Sequence, residues 1–125
     1  MKIQIEVDDI RLTAQLNETA TARIIASALP LEGRANVWGD EIYFDTRLSV
    51  DLAEDAKAEV DVGTLAFWPT GSALCIFFGP TPVSTNEKPR AYSPVNVFGK
   101  VEGDATVLKK TTDGAVVKIR ELPTR

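Results

Sequence analysis

Polar and apolar residues alternate through "KIQIEV" (Lys2–Val7) and again through "RLTAQL" (Arg11–Leu16). A period of two marks a half-buried strand. Asp8–Asp9 between the two runs supplies a two-residue turn, so the chain opens with a predicted hairpin. The period then changes. In "ETATARIIASALP", Ala22, Ile25, Ala26 and Leu29 share one helical face. Asn17 is the expected cap, with Glu18 in the first turn, and Pro30 ends the helix at about Leu29.

Beyond the helix the elements shorten. "LEGRANVWGD" reads as a loop punctuated by Gly33 and Gly39. "EIYF" is a short strand that puts Ile42 and Phe44 on one face, Glu41 and Tyr43 on the other. "RLSVDL" (Arg47–Leu52) repeats the strand pattern, while "AEDAKAEVDV" has a helical composition but enters a strand, leaving both readings open. "TLAFWP" and "ALCIFF" are two strands joined by the turn Pro69–Ser72. "GPTPVSTNEKPRAYSP" carries four prolines and reads as one long loop. "VNVFGKV" and "AVVKIREL" are strands, and "DATVLKKTTDG" holds a short helical turn. Seven or eight short strands with one helix predict a mainly β fold. The expected form is a closed barrel with the N-terminal helix plugging one end and one or two short helical turns, which would also dispose of exposed edges.

Length adds that this is one domain, residues 1–125. At that size a chain buries enough surface to fold without disulfides or metal. The net charge of −4 argues against nucleic acid or an anionic membrane as partner. Residues 1–87 carry net −8 and residues 88–125 net +4, which is the expected complement of two halves that pack together. No apolar run reaches a membrane span and "MKIQIEV" lacks the core of a secretory signal, so the expected location is the cytoplasm. Histidine is absent. That excludes Ser-His-Asp and Cys-His catalysis and histidine-based zinc sites. No catalytic residue, metal or cofactor is expected. The single cysteine, Cys75, sits between Leu74 and Ile76 and is expected to be an inert core thiol.

The residues with most to offer a ligand lie around the two central strands. Trp68 stands at a strand end beside the Pro69–Ser72 turn, where tryptophan serves binding or packing. Phe77 and Phe78 are adjacent and so point to opposite faces. Glu41 and Tyr43 share a face. A carboxylate beside a phenol suits acid–base work, although a solvated strand face has the same pattern and is the expected reading. Arg90 and Asn96 flank the proline loop and either order it or donate to a bound carbonyl. Thr81, within that loop, completes the ligand-binding candidates.

"WGDEIYF", "WPTGSALCIFFGPTP" and "VNVFGKV" together resemble the small prokaryotic cyclophilin-like domain family, over most of Met1 to Glu121. The resemblance implies a cyclophilin-type β-barrel. It also implies where an isomerase site would lie, and most of that site is changed. Cyclophilins place an arginine in a Phe-His-Arg segment between the helix and the stretch matching "GDEIYF". Here only "LPLEGRANVW" fills that interval, with Arg34 as its one arginine. The substrate-binding glutamine matches Ile76 and the pocket histidine matches Val95. The pocket phenylalanine is retained as Phe78, while Phe77 is implied to be core. The resemblance therefore implies an apolar groove that binds an Xaa-Pro peptide or a small ligand with little or no isomerase activity. In that groove Trp68 and Phe78 face the Pro80–Pro94 loop together.

Overall fold

Asp8 and Asp9 turn the chain between Val7 and Ile10, which face each other across the first hairpin. Asp8 takes a positive φ of 51°, a conformation that aspartate tolerates in tight turns. The strands on either side are β1 (Lys2–Val7) and β2 (Ile10–Leu16), and they place Ile3, Ile5 and Val7 in the core. The computed structural model describes residues 1–123. Helix α1 follows (Ala20–Ala28). Its cap is Thr19, whose hydroxyl accepts from Ala22 N at 3.2 Å, rather than Asn17. Asn17 instead accepts from the Thr19 amide and hydroxyl, two residues before the cap.

The remaining strands are β3 (Leu31–Arg34), β4 (Asn36–Trp38), β5 (Glu41–Asp45), β6 (Lys57–Glu59), β7 (Thr64–Trp68), β8 (Ala73–Phe77), β9 (Arg90–Glu102) and β10 (Val116–Glu121). All pairings are antiparallel, and the sheet runs β3-β10-β1-β2-β9-β7-β8-β5-β4, with β6 added to β9. The fold is mainly β, as expected, with a single α-helix and two 3-10 turns, Pro69–Gly71 and Ala105–Lys110, among the described residues.

Three expectations are corrected. The barrel is not closed by hydrogen bonds: β3 and β4 end the sheet, and no ladder joins them among the described residues. They are consecutive in the chain, and buried Ala35 carries the chain from one edge to the other, bonded to β10's side by Ala35 N–Ala115 O at 2.8 Å. "LEGRANVW" is two short strands rather than a loop. Gly33 is there because a Cβ would stand 2.5 Å from the Phe44 ring, a close approach instead of a turn. "RLSVDL" forms no strand. Its alternation arises because Leu48 and Val50 pack against the core without pairing.

Burial occurs on both faces of the central strands. One cluster holds Ile3, Ile25, Phe44, Leu65, Phe67, Leu74, Ile76 and Phe98, together with Leu108 from the second 3-10 turn. The other face of β7 and β8 carries a second cluster of Ala66, Cys75 and Phe77, covered by Val60, Ala91 and Val95. Strands buried on both faces read as continuous apolar runs, which is why "TLAFW" and "ALCIF" barely alternate. Each large side chain so buried contributes ~1.5–3 kcal/mol. No helix among the described residues is long and apolar enough to cross a membrane.

Candidate functional site

The second cluster does not cover its face of the sheet completely. A half-open pocket of about 190 Å³ remains, lined by Trp38, Glu41, Tyr43, Trp68, Cys75, Ala91, Tyr92 and Val95. Antiparallel pairing explains the gathering. Trp38 lies opposite Glu41, and Tyr43 opposite Cys75. β7 brings Trp68 beside Ala73, and the first half of β9 crosses above with Ala91, Tyr92 and Val95. Pro94 belongs to this strand and not to a loop, so the loop between β8 and β9 spans 78–89. The proline sits on an exposed stretch of β9 where the pairing with β6 changes register between Glu59–Arg90 and Lys57–Val95. A register shift tolerates a residue without N–H.

The aromatic wall is held in place from several sides. Tyr92 is 74% exposed, yet its ring stands edge-on to both indoles, with centroids 6.3 Å from Trp38 and 6.1 Å from Trp68. Trp68 Nε1 donates to Ser93 Oγ at 2.6 Å. Behind the indole, a Cβ on Gly71 would come within 2.5 Å of the ring, so the glycine makes room for it. The β4–β5 turn, Gly39–Asp40, fixes Trp38 and Glu41. Gly39 has a φ of 59°, Asp40 N donates to Pro80 O at 2.9 Å, and Phe78 N donates to Asp40 O at 2.8 Å.

Glu41 is the unusual member. It is only 5% exposed, and its Oε1 is sealed from solvent with no hydrogen-bond donor among the described residues. Burial raises its pKa from 4.5 to about 7, against a smaller opposing effect of the Cys75 thiol. Cys75 is pushed well above the usual thiol range, first by burial and then by the Glu41 charge. Its Sγ lies 3.9 Å from the Ala73 carbonyl. The Glu41–Tyr43 face is thus not a solvated strand face, because β9 folds over it.

The other candidates divide. Trp68, Glu41 and Tyr43 are brought together. Phe78 is 2% exposed but belongs to the opposite cluster with Ile76 and Leu74, so it does not face the pocket with Trp68. Strand alternation decides this: residues 74, 76 and 78 share one face, and 73, 75 and 77 the other. Thr81 is buried in the loop, where its hydroxyl donates to Arg90 O at 2.5 Å and its amide to Ser84 Oγ at 2.9 Å. Arg90 begins β9 outside the pocket lining. Asn96 is 1% exposed and ties down a different segment from the proline loop. Its Nδ2 donates to Asp51 O at 2.8 Å and Thr21 Oγ1 at 3.2 Å, and its Oδ1 accepts from Ala53 N at 2.8 Å.

Of the positions matched to the isomerase site, Val95 lines the pocket while Ile76 lies in the other cluster. Arg34 is exposed on β3, its Nη1 bonded to Gly114 O at 3.2 Å. Sequence reasoning passed over Trp38 and Tyr92 as pocket residues. Their aromatic character was visible, but what joins them is β9 crossing β5 from fifty residues away.

None of the curated proteins matches this chain. A solved solution structure of a hypothetical protein from Archaeoglobus fulgidus is 39% identical, with a TM-score of 0.80 over 96% of this chain and 93% of that one. The family model described as Cyclophilin-like matches residues 1–120. With that match, the β architecture and the retained "WGDEIYF", "ALCIFFG" and "VNVFGKV" segments, the chain belongs to the cyclophilin-like family.

Proposed function

We propose that this protein is a binding module that holds a small ligand, or the proline of a short peptide, in the pocket between β4, β5, β7, β8 and β9, without strong catalysis. The observation that carries this reading is the half-open chamber of about 190 Å³ walled by Trp38, Trp68 and Tyr92. An apolar cavity of roughly 150 Å³ takes a benzene ring, so a group of prolyl size is admitted. Burying apolar area contributes ~25 cal/mol per Å², but ordering the exposed Tyr92 and the ligand offsets part of it. Affinity for a short peptide is expected between about micromolar and millimolar.

Weak prolyl isomerisation is the second reading, supported by family membership alone, since the position matched to the isomerase's pocket histidine lines the pocket as Val95. It meets an energetic objection. The barrier is ~20 kcal/mol, and loss of one preorganised donor typically costs ~10²–10³ in rate. Among the described residues, no arginine lines the pocket.

The test is a titration of tryptophan emission with Xaa-Pro peptides and alanine-substituted controls, in wild type, Trp38→Phe and Trp68→Phe. Both tryptophans line the pocket, so each single variant should retain part of the signal. A proline-dependent change supports the peptide form of the reading. A cyclophilin-like turnover in a proline peptide assay would instead favour the isomerase. No response to any peptide or small-molecule probe, with both indoles shielded from quencher, would end the pocket reading.

A further inference from the structure

We propose that the pocket takes a small organic cation, an alkylated ammonium group, with the Glu41 carboxylate as its counter-charge and the rings of Trp38, Trp68 and Tyr92 as its walls. This rests on the reading of the pocket as the binding site and names the chemistry of its occupant.

Three observations converge on it. The first is the buried acid. Glu41 is 95% removed from solvent, lines the pocket and has an Oε1 without a donor among the described residues. A buried carboxylate is costly unless it is paired, and among the described residues no lysine or arginine lines this pocket. Two states satisfy such a group: it is protonated, or a cation from outside completes the pair. The raised pKa, about 7, leaves both accessible near neutrality.

The second is the wall. Two indoles and a phenol surround the opening, with the Tyr92 ring edge-on to both indoles and Trp68 held by its bond to Ser93. Aromatic faces carry negative charge density and attract ammonium groups within about 6 Å, most strongly when the cation is desolvated. The third is size and field. About 190 Å³ accommodates a compact alkylammonium head but not a large ligand, and the protein's net charge of −4 disfavours anions. An anionic ligand would face an unpaired carboxylate, and a neutral one would leave it protonated and contribute no charge term.

The experiment uses choline chloride and its uncharged isostere 3,3-dimethylbutan-1-ol, titrated by tryptophan emission and calorimetry into wild type and Glu41→Gln at pH 8 and pH 5. Choline carries a fixed charge, so its pH dependence reports the protein. The other titratable groups facing Glu41 are Tyr43 on β5, Cys75 on β8 and Tyr92 on β9. Asp40, next in the chain, is occupied with Lys109 at 3.5 Å. Wild type should bind choline at least tenfold more tightly than the isostere at pH 8. That preference should fall by at least tenfold at pH 5, where Glu41 is protonated, and Glu41→Gln should show neither the preference nor its pH dependence. If the isostere or a proline peptide binds as well as choline, the cation inference fails and the pocket reading stands. A choline preference that survives Glu41→Gln also overturns the inference. If no probe of any charge perturbs either indole, the pocket reading falls as well.

Discussion

The indole Nε1 of Trp68 donates to the hydroxyl of Ser93 at 2.6 Å, joining the end of β7 to the part of β9 that carries Tyr92. This one bond fixes a pocket wall to the strand that roofs the pocket. Ser93→Ala leaves a partly buried N–H without its acceptor and should cost about 1 kcal/mol. Urea midpoints measure the cost. Quenching by acrylamide should increase, because the indole is released toward solvent.

Gly71→Ala tests the same wall from behind. The new methyl would stand within 2.5 Å of the indole ring, so the ring must swing away. The tryptophan emission spectrum and the ring-current shift on Tyr92 should both change while the far-UV spectrum stays strand-dominated. An unchanged emission spectrum would mean that the ring is not held against Gly71.

Asn96 holds the strandless segment before β6. Removing its carboxamide in Asn96→Ala strands the Ala53 amide and the Asp51 carbonyl, at about 2–3 kcal/mol. Hydrogen exchange at Ala53 should accelerate selectively. A loss below about 0.5 kcal/mol with no change at Ala53 would show that the segment is anchored by Leu48 and Val50 instead.

Glu41 sets a pH dependence of stability with a definite sign. Its pKa is 4.5 unfolded and about 7 folded, so between these values the folded protein binds more protons than the unfolded chain. Stability therefore falls as pH rises through that window and levels off above it. The full effect is on the order of 3 kcal/mol. Glu41→Gln stays neutral and should gain stability relative to wild type by that order between pH 4.5 and pH 8. Parallel unfolding curves at several pH values measure the difference, and a constant offset would contradict the burial of an ionisable acid.

What alternation encodes explains how much was legible. It gave the β1–β2 hairpin and β5, while the helical period gave α1 and continuous apolar runs flanking the Pro69–Ser72 turn gave the β7–β8 pair, because each is a local pattern. It misled at "RLSVDL", where Leu48 and Val50 alternate into the core without pairing. Glycine and proline misled as punctuation: Gly33 admits the Phe44 ring, and Pro94 sits inside β9 at a register shift. Glu41 and Tyr43 were correctly placed on one face. Whether that face met solvent depended on Tyr92 and Val95 arriving from a distant strand, which no local pattern records. Phe78 was misplaced by weighting its resemblance over the parity that sets it opposite Trp68.

The central claim is that ligands enter between Trp38, Glu41, Trp68 and Tyr92. The chain has only two tryptophans, and both line the pocket, so two indole N–H signals in a ¹⁵N-resolved NMR spectrum report on it directly. On titration with choline, proline peptides or a fragment library, binding should shift both indole signals together with the amides of Glu41, Tyr43 and Tyr92. Shifts confined to another surface, such as the groove of Gln15, Lys57 and Lys100, would contradict the account.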